Sequence, residues 1–235
     1  MKFAKIGLLA LPFVIIGCSD DDNDSNAVII EETPMATYQV AFTNLTNAQP
    51  MSPLAAYLHD GSVASWQIGM PASAGIEVLA ESGDGSTWLA EATAAGAMVT
   101  ANGEGIVMPG NEQLVTLTVA TQQSVYLGLA TMLVNTNDAF TGAGAVYLNL
   151  AVGEAISGVV PVMDAGTEAN SELATTIPGP AGGGTGYDAV RDDVGDYVAR
   201  HGGIVGIDDG KMDSALGHQH RFDSPVANWR VTRIE

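Results

Sequence analysis

A chain of 235 residues carrying 27 acidic and 8 basic side chains, a formal net charge of −19, has room for one sizeable core. Nucleic acid and anionic lipid both require clustered Lys and Arg, and from Ser19 to Asp188 there is neither, so both are excluded as electrostatic partners. Cys18 is the only cysteine, so no internal disulfide framework exists, and the fold must hold by packing or with a bound ion.

The chain opens with Lys2 and Lys5, then an apolar run from Ile6 to Ile16 broken only by Gly7 and Pro12. That run is short of the about 20 residues that span a bilayer. It reads as the apolar region of a signal peptide covering residues 1–17. Ile15-Ile16-Gly17-Cys18 ends it and resembles the bacterial lipobox, which makes Cys18 the lipidation site. Ser19 after it points to the outer membrane. The expectation is an exported protein whose only membrane contact is its N-terminal lipid. Each buried CH₂ of such an anchor contributes about 0.8 kcal/mol. Loss of Lys2 and Lys5 on cleavage takes the charge from −19 to about −21. Residues 18–35, with Asp20, Asp21, Asp22, Asp24, Glu31 and Glu32, read as a solvated acidic tether. Residues 36–235 form the domain.

From Thr37 the pattern becomes that of strands. Tyr38, Val40 and Phe42 alternate with polar or small residues, giving a strand with one buried face. Asn44 to Pro53 is a loop, and Leu54 to His59 a second strand. Ala72 to Glu81 has helical spacing between Pro71 and Gly83, and Ser86 to Ala95 continues it. Further strands are predicted at Leu114–Ala120, Val125–Val134 (the most apolar, hence central), Ala145–Ala151, Gly158–Met163 and Val226–Ile234. This spacing, with Gly- and Asn-rich turns, predicts a mainly all-β antiparallel sandwich with one or two short helices. Pro178 to Gly217 is too long for a structureless loop; short strands and ligand specificity are expected there.

Three acids stand at strand ends: Asp138 after Asn135-Thr136-Asn137, and Asp164 and Glu168 in Asp164-Ala165-Gly166-Thr167-Glu168. Gly166 permits a turn that returns Glu168 towards Asp164. If the strands ending at Asn135 and Met163 are neighbours, Asp138 joins them, with Asn137 and loop carbonyls as further oxygens. Calcium requires about six to eight oxygens, so these residues are candidate ligands. The alternative is that Asp164 caps a turn and Glu168 is a surface charge.

Several strings carry a resemblance. Tyr38-Gln39-Val40-Ala41-Phe42-Thr43-Asn44-Leu45-Thr46 with the following Gln49-Pro50 and Ser52-Pro53, then Leu79-Ala80-Glu81-Ser82-Gly83, then Thr136-Asn137-Asp138-Ala139-Phe140, and above all Asp164-Ala165-Gly166-Thr167-Glu168 running to Ile177-Pro178, resemble the spondin N-terminal domain. The resemblance covers about Ala36 to Ile234. It implies a C2-like β-sandwich that binds calcium through Asp138, Asp164 and Glu168. Glu168 stands where the animal proteins have Asp, and their disulfides have no counterpart. The resemblance further implies an adhesion or interaction role without catalysis; the fold does not name the partner, and a surface protein or a glycan, engaged by a monomer, is the expectation.

His218-Gln219-His220 offers a rival chemistry. On a strand the two imidazoles would share a face and, with Asp213 or Asp223, could bind zinc for an envelope hydrolase; the alternative is two loop histidines near Arg221. A structural envelope protein without specific ligand is the third possibility. No Gly-x-Ser-x-Gly string occurs, and Gly182 to Gly186 lacks the Lys and helix of a phosphate loop. Trp66, Trp88 and Trp229 could line a carbohydrate platform or pack within the fold.

Overall fold

Ten strands and two short helices follow one another in a computed structural model that describes residues 33–121, 124–190 and 195–235. Cys18, the signal peptide expected over residues 1–17 and most of the tether expected over residues 18–35 lie outside the described residues. Thr33–Glu235 forms one compact unit.

Strand β1 (Met35–Asn44) buries Ala36, Tyr38, Val40 and Phe42, as its alternation requires. It lies between β4 (Glu112–Ala120) and β10 (Ala227–Arg233), and β7 (Ala155–Val160) completes a four-stranded antiparallel sheet in the order β4-β1-β10-β7. The second sheet has six strands in the order β3-β2-β5-β6-β8-β9. Its members are β2 (Ala55–His59), β3 (Val99–Asn102), β5 (Tyr126–Met132), β6 (Ala139–Tyr147), β8 (Val162–Asp164) and β9 (Ala199–Arg200). The two sheets face each other across one core, where Phe42, Leu117 and Val231 meet Leu58, Leu127 and Leu129. The all-β sandwich predicted from the strand pattern is the observed fold.

The central strands β2 and β5 of the six-stranded sheet are buried on both faces. Along β2, Ala56 and Leu58 enter the inter-sheet core, whereas Ala55 and Tyr57 face helices α1 (Ala74–Ser82) and α2 (Ser86–Ala94) in a second core. This explains why β2 reads as a continuous apolar run rather than an alternating one. Ser73 caps α1 by accepting the Ile76 N–H at 3.2 Å, and Gly83 ends it at φ +76°. Among the described residues no helix is long and apolar enough to cross a membrane.

Two strand boundaries differ from the sequence pattern. Gly158–Met163 reads as one strand but is two, broken at Pro161: β7 pairs with β10 in one sheet, and β8 with β6 in the other. Proline has no N–H to give a ladder, and here the chain crosses between sheets. Strand β6 begins at Ala139, not Ala145, because the Gly- and Ala-rich start that looks like a turn packs closely on β5. A Cβ at Gly142 would collide with the Leu129 carbonyl oxygen. The segment 178–217 contains only the two-residue β9 and a 3₁₀ turn at Ile207–Asp209 as regular structure among its described residues before the second turn at His218–His220.

Candidate metal centre

The earlier start of β6 builds the site. After β5, Thr136 Oγ1 donates to the Leu133 carbonyl at 2.6 Å and accepts the Ala139 N–H at 3.1 Å, closing a tight turn that delivers Asp138 to the head of β6. Because β6 pairs with β8 in the register Ala139↔Asp164, Asp138 sits beside the end of β8. The juxtaposition expected of the strands ending at Asn135 and Met163 is therefore made by β6, which lies between them.

The Asp164–Glu168 string forms a turn above Asp138. Asp164 Oδ1 accepts the Gly166 N–H at 2.9 Å. Gly166 has φ +76°, and a Cβ there would strike the Tyr197 carbonyl oxygen, so only glycine fits. Asp138 Oδ2 accepts the N–H groups of Thr167 at 2.9 Å and Glu168 at 3.1 Å. Glu168 Oε2 accepts from Asn137 Nδ2 at 3.1 Å, and Asp164 Oδ2 from Asn170 Nδ2 at 2.7 Å. All three predicted acids are thus joined through one turn, and Glu168 is not a surface charge but 3 % exposed. Asn137 departs from its expected place as an oxygen donor: its Oδ1 is taken by the Glu172 N–H at 3.0 Å.

Asp138 is fully buried, and its Oδ1 has no hydrogen-bond partner among the described residues. Burial, then the nearby Asp164 and also Glu81, push its carboxyl up to about 7; the Thr167 and Glu168 N–H groups oppose the shift. Glu81 is a fourth acid that sequence reasoning did not assign to the site. It is 1 % exposed at the last turn of α1, and its Oε2 accepts the Asp188 N–H at 3.2 Å. An acid on the apolar face of a short helix was the available signal. Asp164 and Glu168 also line a 190 Å³ cavity with Gly166, Asn170, Tyr197 and Ala199, an approach from solvent.

Around this centre lies a polar frame. His201 Nδ1 accepts the Gly203 N–H at 3.0 Å, which places its proton on Nε2, facing Asn170 Oδ1 at 3.2 Å. Burial lowers the His201 pKa, and Asp164 opposes this. Glu172, at φ +57° and 4 % exposed, accepts the Val205 N–H at 2.7 Å and so ties the 203–216 stretch to the acidic loop.

An orphaned, buried carboxylate oxygen near three further acids is the hard-oxygen chemistry that a divalent cation takes, but the oxygens do not converge as they stand. The side chains stand as a hydrogen-bonded cluster: among the described residues no group of three or more His, Cys, Asp or Glu is arranged to hold a metal ion. The histidine pair lies in a 3₁₀ turn, His218–His220, not in a strand. At three residues per turn, positions two apart point to different sides, so the shared face expected of a strand is lost. His220 Nδ1 accepts the Gly217 N–H at 3.1 Å, and the His218 ring faces Asp208 Oδ2 at 3.8 Å.

No family model and no curated protein matches the chain.

Proposed function

We propose that this chain is a calcium-stabilised, non-catalytic interaction module of the spondin N-terminal kind, displayed on the cell envelope by lipid at Cys18. The observation that carries the reading is the buried Asp138 Oδ1 without a partner, beneath the Asp164-Ala165-Gly166-Thr167-Glu168 turn. Burying a carboxylate without compensation is costly, and a cation among Asp138, Asp164 and Glu168 removes that cost. Calcium suits the site better than magnesium, because a turn closed by backbone hydrogen bonds offers carbonyl and carboxylate oxygens in irregular geometry. Binding would exchange the Asn170 and Asn137 hydrogen bonds of Asp164 and Glu168 for the ion. The acidic surface and the export signal support a role outside the cytoplasm, as a monomer that engages a surface protein or a glycan and neither nucleic acid nor lipid headgroups.

Thermal melting in chelator and in calcium tests the reading. At calcium 100 times its dissociation constant, a folded-state site adds about 2.7 kcal/mol. An Asp164→Asn variant should lose most of that gain. Melting curves that coincide in chelator and in millimolar calcium would remove the calcium site.

A further inference from the structure

The second core, between the six-stranded sheet and the two helices, is not completely filled. A cavity of about 310 Å³ lies there under the loop that joins β2 to α1, with Tyr57, Ser65, Trp66, Ser73, Trp88 and Glu91 among its walls. That volume is at the lower end of small-molecule sites, which run from about 300 to 1,000 Å³. The three tryptophans have separated by role. Trp229 packs in the inter-sheet core, whereas Trp66 and Trp88 meet at this cavity with centroids 6.1 Å apart. Trp66 also stands edge-on to Phe140 at 5.1 Å, and Tyr57 packs against Trp88 at 4.9 Å.

The walls select the ligand by elimination. No Lys or Arg lines the cavity and Glu91 is its acid, so an anion finds no countercharge. The Tyr57 phenol is pushed up by burial and stays neutral. An organic cation needs ring faces spread around it. Here the rings already touch one another, and both Glu91 oxygens are engaged, by Ser73 Oγ at 2.6 Å and the Gly75 N–H at 2.8 Å. A wholly apolar ligand leaves the polar part of the wall, Gln67, Ser73 and Glu91, unmatched. A neutral polyol satisfies all of these conditions. A sugar ring can lay one C–H face on the half-buried Trp66 and turn its hydroxyls to Gln67, Ser73 and Glu91, whose carboxylate oxygens each keep a further lone pair for a neutral donor.

We propose that this cavity binds a single neutral sugar ring, such as the terminal residue of a surface glycan, with Trp66 as its stacking platform. The proposal stands apart from the calcium reading, because none of Asp138, Asp164 and Glu168 lines the cavity. Tryptophan fluorescence of the full chain is titrated with glucose, galactose and N-acetylglucosamine, in chelator and again in calcium. Saturable change at about millimolar sugar in either buffer is expected, a typical strength for so small a ligand. Trp66→Ala should weaken binding at least tenfold. Gln67→Ala, at an exposed position, should weaken it severalfold without moving the melting temperature. The proposal is overturned if no sugar saturates up to about 0.2 M in either buffer. It is equally overturned if tetramethylammonium saturates where sugars do not, or if both variants bind sugar as the wild type does.

Discussion

Replacing Asp138 by Asn separates the electrostatic cost of the acidic cluster from its packing. The Asp138 carboxyl is held at about 7 against an ordinary 3.8, so the folded state binds the proton more tightly than the unfolded chain does. In chelator, the stabilisation from that proton is complete below pH of about 3.8 and is lost as pH rises through about 7; the difference is about 4 kcal/mol. Asparagine is close in shape, and its Oδ1 can still accept the Thr167 and Glu168 N–H groups. Its amide nitrogen then occupies the place of the unpartnered oxygen, at a cost of up to about 1–3 kcal/mol if it finds no acceptor. The net expectation above pH 8 in chelator is a variant more stable than wild type by about 1–3 kcal/mol. For a domain of this size, that corresponds to a melting temperature higher by about 2–12 °C. The advantage should shrink and then reverse as pH falls towards 4, where wild-type Asp138 takes up its proton. In saturating calcium the order should reverse at pH 8 as well, because only the wild type gains. Melting followed by circular dichroism at five pH values, with chelator and with calcium, supplies the whole comparison. A pH-independent difference between the two proteins in chelator, or an Asn variant that melts lower at pH 8, refutes the electrostatic reasoning.

Gly166→Ala should destabilise by about 2–4 kcal/mol in urea unfolding, because φ +76° and the Tyr197 carbonyl both oppose a Cβ; calcium should recover only part of the loss. Glu172→Ala removes the buried carboxylate that accepts the Val205 N–H and should cost about 1–3 kcal/mol, with amide exchange rising selectively in residues 203–216. Cys18→Ser should abolish incorporation of labelled fatty acid and release the protein from the membrane fraction. Persistent labelling would exclude Cys18 as the acceptor.

Local pattern was enough for most of the sandwich. The alternation of Tyr38, Val40 and Phe42, the Thr-interleaved Leu114–Ala120 and the apolar Val125–Val134 each announce a strand, because a side chain every second residue must face a core. The helical spacing between Pro71 and Gly83 likewise announces α1. Strand partners are not local. Nothing in Gly158–Met163 states that Pro161 sends its two halves into different sheets, or that the glycines opening β6 are there for close approach to β5. Strand β3 carries too short and mixed a pattern to announce itself.

The acids divide the same way. Asp164, Gly166 and Glu168 stand close along the chain, and one turn brings them together, so the sequence itself determines that unit. Asp138 and Glu81 come from the head of β6 and the end of α1: the pairing of β6 with β8 sets Asp138 beneath that turn, and the packing of α1 on the sheet brings Glu81 near Asp138. The tryptophans make the point most simply: identical side chains, yet packing alone puts Trp229 in the inter-sheet core, Trp88 in the second core and Trp66 half-buried at its edge. Chain-local spacing fixes which face a residue takes. Which distant residues share that face is set by the tertiary contacts that bury them, and those contacts leave no signature in any short stretch of the chain.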